Sequence, residues 1–197
     1  MKNLAQKIIA VTGGIGSGKS SVLEILSKNG YPVFSCDEIL NDLYKDIKIK
    51  LQLKELFPTS VKGEKRLSVD RKTLSKLCFE SLENRKKLEN FTHPLILKKA
   101  IKKIKKTKAP LCFLEVPLLF EGGFESLFDG VLVVVRDKKL RIESVKTRSN
   151  LTEREIIYRI NAQIDYDKLD LSKYIVIVND GNLDSLKEKT LKLIKNI

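Results

Sequence analysis

Tryptophan is absent from this 197-residue chain, and methionine and histidine occur once each. The three cysteines, Cys36, Cys78 and Cys112, are odd in number, far apart and never form a CxxC pair, so neither a disulfide framework nor a zinc site is indicated. That usage predicts a reducing, cytoplasmic setting. No apolar run approaches the roughly 20 residues of a membrane span. The run Ile8–Val11 is too short for a signal-peptide core. Internal repeats and low-complexity tracts are missing as well.

Arginine is the scarce cation. Lysine and arginine total 38 against 25 acidic residues, a net charge of +13, yet only 8 of the 38 are arginine. A basic excess is compatible with nucleic acid, an acidic membrane surface or a phosphate-rich small substrate. The lysine skew marks most of it as surface filler. In the densest run, Lys98 to Lys108, Leu97, Ala100, Ile101 and Ile104 recur at helical spacing. It reads as the solvated face of an amphipathic helix with Pro94 in its first turn. No basic stretch is rich in aromatics suited to base stacking, so neither nucleic acid nor membrane is an expected partner. By contrast, Arg136, Arg141, Arg148, Arg154 and Arg159 fall within 24 residues that hold three lysines. A guanidinium fork grips phosphate oxygens two at a time.

With 42% apolar residues the chain can bury a core, and its length predicts one domain. Lys7–Thr12, Tyr31–Ser35, Leu111–Glu115, Val131–Val135 and Tyr174–Val178 are apolar on consecutive positions, the pattern of parallel strands covered on both faces. The predicted class is α/β, a doubly wound five-stranded parallel sheet. A helix from Gly18 to Asn29, closed by Gly30, joins the first two strands. An inserted helical lobe follows over about 38–108, with Pro58–Arg66 as a polar, turn-rich link. A lid region covers about 137–171; in it Thr152 and Glu155 form a capping box, and Arg159 and Gln163 share a helical face. The core is then about 1–37, 109–136 and 172–197. It ends in a helix from Asp184 that packs Leu186, Thr190, Leu193, Ile194 and Ile197.

The sharpest motif is Gly13-Gly14-Ile15-Gly16-Ser17-Gly18-Lys19-Ser20, which fits GxxxxGK[ST] between an apolar strand and a helix. Its glycines let backbone N–H groups curl around phosphate oxygens at the positive end of the following helix. Lys19 would reach the β and γ phosphates and the Ser20 hydroxyl would ligand Mg²⁺. The expected ligand is a nucleoside triphosphate. Three classes use such a loop. A GTPase-type switch lacks its Asn/Thr-Lys-x-Asp motif here, and a mechanical ATPase wants a strand ending in Asp followed by an acidic base, whereas the one candidate, Leu111–Glu115, runs straight into Val116 and Pro117. A small-molecule kinase needs an acceptor lobe, a lid bearing arginines and a carboxylate for the acceptor hydroxyl, and all three are present. Asp37 directly follows the second strand, at the edge where ligands of such sheets bind. There it can take a hydroxyl proton, hold a water of the Mg²⁺ shell, or cap the helix that begins near Glu38.

In their order along the chain these residues resemble the dephospho-CoA kinase family. Gly13–Ser20 matches the family's GGIGSGKS loop, and Val33–Asp37 its segment ending in Asp-x-Asp. Asp70-Arg71 with Leu74 and Phe79, then His93-Pro94, match its acceptor lobe. Leu114–Glu121 matches its PLLxE strand end, Arg148, Arg159-Ile160 and Gln163 its lid, and Asn179–Gly181 its last turn. The resemblance implies transfer of the ATP γ-phosphoryl to the ribose 3′-hydroxyl of dephospho-CoA, the last step of coenzyme A biosynthesis. It makes Asp37 the general base and Lys19 and Arg148 the charges on the transferring group. ATP falls on Gly13, Gly14, Ile15, Gly16, Ser17, Gly18, Lys19, Ser20 and Ser21, with Asp37 or Glu115 near Mg²⁺ through water. Arg159 and Gln163 would reach the substrate from the lid. Two other readings stay open: a kinase of the same build acting on another nucleotide or small alcohol, and a nucleic-acid-binding NTPase motivated only by the charge.

The chain departs from the family pattern twice. Ser35 stands where a first carboxylate is usual, and Ser144 replaces an arginine four residues before Arg148, leaving Arg141 to compensate from the preceding turn. Among the smaller expectations, Asp70 caps a helix and Arg71 reaches a substrate phosphate. His93, ahead of a helix-opening proline, packs or lines the substrate. Pro117 and Leu118 shape the acceptor pocket, and Cys36 is a spacer, not a nucleophile.

Overall fold

The computed structural model describes residues 6–149 and 151–197; the first five residues of the expected core and Asn150 of the expected lid lie outside the described residues. Along the first half of the chain run β1 (Lys7–Thr12), α1 (Lys19–Lys28), β2 (Val33–Ser35), α2 (Cys36–Leu43), α3 (Ile47–Leu56), β3 (Val61–Lys62), β4 (Ser68–Val69) and α4 (Arg71–Glu80). Then come α5 (Leu82–Thr107), β5 (Leu111–Glu115), β6 (Gly130–Val135), α6 (Lys138–Arg148), α7 (Glu153–Asn161), β7 (Ile175–Val178) and α8 (Leu183–Ile194). They divide into two units, residues 1–34 with 107–197, and residues 35–106.

The first unit holds a five-stranded parallel sheet in the order β2-β5-β1-β6-β7. β1 is central, with Val11 opposite Glu115 on one side and Leu132 on the other. Strands read as unbroken apolar runs because helices cover both faces. Ile9, Val11, Phe113, Leu132, Val134 and Ile177 pack with Val22, Leu26, Leu186 and Ile194 from α1 and α8 in one buried cluster. Leu186, Thr190 and Ile194 form the buried stripe of α8, while Ile197 lies beyond its end. β1 and β5 start at the predicted residues and the other three strands within two residues of them, and Gly30 (φ +85°) follows the Asn29 cap of α1.

The second unit is helical, with two departures from expectation. Pro58–Arg66 is not a plain link: a 3₁₀ turn at Pro58–Ser60 leads into β3, which pairs antiparallel with β4 (Val61 opposite Val69). Two-residue strands are too short for a periodicity to show. Pro94 does not open a helix either, but sits inside the 26-residue α5. Proline removes an N–H and costs a helix interior about 3 kcal/mol. Pro94 is exposed, and the buried stripe of Thr92, Ile96, Leu97, Ala100 and Ile104 carries the helix through it. Packing one face outweighs one lost hydrogen bond.

Candidate active site

Side chains cap α3 (Asp46), α4 (Asp70), α6 (Asp137), α7 (Thr152) and α8 (Asn182). α1 has no side-chain cap and no acidic residue in its first turn, and it is preceded by Gly18 in the left-handed region at φ +98°. Its positive N-terminal end is thereby left to an anion. A Cβ on Gly18 would stand 2.3 Å from Asn179 Nδ2, and one on Gly16 (φ +78°) 2.5 Å from the Arg141 carbonyl oxygen. These two glycines are required by close approach as well as by backbone angle.

The loop is gripped residue by residue. Lys19 Nζ donates to the carbonyls of Gly13 (2.6 Å) and Gly14 (3.2 Å). Asn179, buried after β7, donates from Nδ2 to Ser17 O at 2.9 Å. Ser17 Oγ is buried in the loop with no hydrogen-bond partner. Ile15 is held three ways: its N–H donates to Gln163 Oε1 (2.7 Å), its carbonyl accepts from Arg141 Nε (2.9 Å), and its side chain packs on Val145, Ile156 and Ile160 of α6 and α7. Thr12 Oγ1 and the buried Tyr166 hydroxyl lie 3.3 Å apart behind it. Burial pushes the Tyr166 phenol up, so it stays neutral. Burial also draws Arg141 below the usual guanidinium range, against the pull of Asp167, Tyr166 and Asp165.

Several expected residues change position. Gln163 does not share a helical face with Arg159: α7 ends at Asn161, and Gln163 lies beyond the Ala162 cap, turned onto the loop. Asp37 does not cap α2. Ser35 holds the cap position and Asp37 falls in the first turn, exposed. His93 lies within α5, half-buried, and burial lowers its pKa. Arg148 ends α6 and is exposed, as are Arg159 and Ser20. Glu115 closes β5 beside Val11, Pro117 and Leu118 follow it half-buried, and Glu121 accepts from Ile164 N at 3.0 Å. The capping box of Thr152 and Glu155 and the Asp70 cap, which accepts from Thr73 N at 3.1 Å, form as expected.

Sequence reasoning offered Arg141 only as a substitute for the arginine missing at Ser144, not as a holder of the phosphate loop, and did not foresee Ile15 as an anchor. The available signals were an apolar residue inside a glycine loop and an arginine in a lysine-rich chain.

Comparison with known proteins gives a consistent result. The family profile described as dephospho-CoA kinase (CoaE) matches residues 7–185. A dephospho-CoA kinase of Thermus thermophilus is 36% identical over 187 residues, covering 95% of this chain and 89% of that protein. One from Lactobacillus acidophilus is 33% identical, covering 96% of each. Among solved structures, a Thermus thermophilus protein superposes with a TM-score of 0.86 at 35% identity, over 98% of this chain and 97% of its own. The dephospho-CoA kinase of Campylobacter jejuni gives 0.69 at 31%, over 100% and 97%. A shikimate kinase from Acinetobacter baumannii shares the fold alone, at 15% identity and a TM-score of 0.55. On the matched span and these identities, the chain belongs to the dephospho-CoA kinase family.

Proposed function

We propose that this protein works in the cytoplasm and transfers the γ-phosphoryl group of ATP to the ribose 3′-hydroxyl of dephospho-CoA, giving ADP and CoA. The observation that carries the reading is the glycine loop at the uncapped end of α1, its Ile15 fastened by Gln163, Arg141 and the α6–α7 cluster. Such a loop has its donors in place before a phosphate arrives.

In this reading the backbone from Gly13 to Ser21 takes the ATP phosphates. Lys19 exchanges its two carbonyl acceptors for phosphate oxygens. Asp37 accepts the 3′-hydroxyl proton as the oxygen attacks phosphorus, and the bond from phosphorus to the ADP oxygen breaks. Arg148 offsets charge on the transferring group, a role worth about 10³ or more in rate. The donor set suits magnesium. No three His, Cys, Asp or Glu side chains cluster as a cage among the described residues, and Mg²⁺ takes most of its ligands from phosphates and water. Ser20 would supply a hydroxyl and Glu115 a carboxylate through water. Held there, the ion would offset negative charge on the phosphates.

The test is ADP release with ATP and Mg²⁺, with and without dephospho-CoA, with the product identified by mass. Acceptor-dependent ADP with a product of CoA mass is expected. ADP release indifferent to dephospho-CoA would sink the reading and point to another nucleotide or alcohol as acceptor.

A further inference from the structure

Glu121 ends the Leu114–Glu121 stretch, and no step of the phosphoryl transfer uses it. Its backbone is nonetheless firmly placed. The Val116 N–H carries the sheet's hydrogen bonding one step past β5, onto Val11 O at 3.0 Å, and the chain then folds back on itself. The N–H groups of Gly122, Gly123 and Phe124 donate to the carbonyls of Leu118 (3.1 Å), Phe120 (3.2 Å) and Leu119 (3.1 Å). Leu119 is fully buried and pins this turn to the core.

On the far side of the contact the chain has run out of helix. α7 ends at Asn161, and the N–H groups of Ala162 and Gln163 still donate back to Tyr158 O (3.0 Å) and Ile160 O (3.2 Å). The Ile164 N–H is the first to leave the helix, and it donates to Glu121 Oε1 at 3.0 Å. A hydrogen bond to a carboxylate is about twice as strong as one between neutral groups. A second contact runs beside it: the Phe120 ring meets the Tyr166 ring with centres 6.0 Å apart. Two adjacent residues of one turn thus fix Ile164 and Tyr166 of another.

That second turn carries supports of the phosphate loop. Gln163, immediately before Ile164, accepts from Ile15 N at 2.7 Å, and the Tyr166 hydroxyl stands 3.3 Å from Thr12 Oγ1. Residues 162–165 belong to no helix or strand, and a segment of that kind keeps its place through side-chain contacts. A hydrogen bond at 2.7 Å is lost over a displacement of about 1 Å. Releasing Ile164 therefore frees the Gln163 side chain, and with it the Ile15 amide.

We infer that Glu121 is a positioning residue for ATP: through the Ile164 N–H it holds Gln163 on Ile15 and keeps the phosphate loop shaped before the nucleotide arrives. The inference rests on the loop being an ATP site, and it adds a residue that acts on that site only through another side chain. Titration calorimetry with ATP and Mg²⁺ reads it directly. Glu121→Ala is expected to weaken ATP binding about 5-fold or more and to raise the KM for ATP, with kcat at saturating ATP within about twofold of native. Glu121→Gln keeps an acceptor oxygen at the same place and is expected to bind ATP within about twofold of native protein. Glu121→Ala combined with Gln163→Ala should bind ATP no worse than Gln163→Ala alone, because both changes remove one support.

Native ATP affinity in Glu121→Ala, with or without a lower melting temperature, overturns the inference and leaves the contact as local structure only. A fall in kcat with the KM for ATP unchanged overturns it too, as do losses that multiply in the double variant. A Glu121→Gln variant as weak as Glu121→Ala overturns it by making the charge, not the hydrogen bond, what matters. Native protein that binds no ATP overturns the reading of the loop itself.

Discussion

Asp37 and Asn179 carry two different kinds of consequence at the scale of single residues. Asp37 is exposed in the first turn of α2, and its proposed work is proton transfer. Asp37→Asn is expected to keep ATP affinity, read by titration calorimetry, and to lower kcat by about 10²–10⁴; full turnover would remove it as the base. Asn179 is buried, and its amide satisfies the Ser17 carbonyl. Asn179→Ala strands that carbonyl at a cost of about 1–3 kcal/mol, so a lower melting temperature is expected together with a raised KM for ATP. The loop motif itself was legible because glycine, lysine and serine are demanded at fixed spacing. What holds the loop was not, since Gln163 and Arg141 reach Ile15 from 148 and 126 residues away. No local pattern marks such long-range partners.

At the scale of elements, the strands and α1 could be read because burial on both faces leaves unbroken apolar runs. Pro94 in α5 and the short β3–β4 pair could not, because tertiary packing overrode one local signal and the other was too brief to detect. Pro94→Ala restores an N–H on the exposed side of α5 and is expected to raise stability by about 1–3 kcal/mol, measured by urea unfolding. The hairpin is tied to α4 through Asp70. The Lys62 ammonium and the Thr73 N–H hold the Asp70 carboxyl down at about 2. A depressed carboxylate stabilises the fold above its unfolded value of about 3.9, and that contribution is lost as pH falls through the folded value. Asp70→Asn should therefore melt lower than native protein at pH 7, and the two should converge near pH 2. A constant gap across that range would show that the charge is not what matters.

For the whole molecule, the net charge of +13 spreads over a surface rich in lysine, and like charges repel. Added salt screens this repulsion, with a Debye length near 10 Å at 0.1 M. The melting temperature is expected to rise between low and moderate sodium chloride; a fall would mean that ion pairs such as Lys103–Asp42 outweigh the repulsion. The sheet order has a consequence for how the protein is made. β1 pairs with β5 and β6, so Lys7 must wait for Leu111. At ribosomal speeds of about 5–20 residues per second, the strand destined for the centre of the sheet is without a partner for roughly 5–20 s. The 35–106 unit emerges whole in that interval. Nascent chains of this protein thus carry the apolar β1 without its sheet neighbours for as long as the whole 35–106 stretch takes to be made.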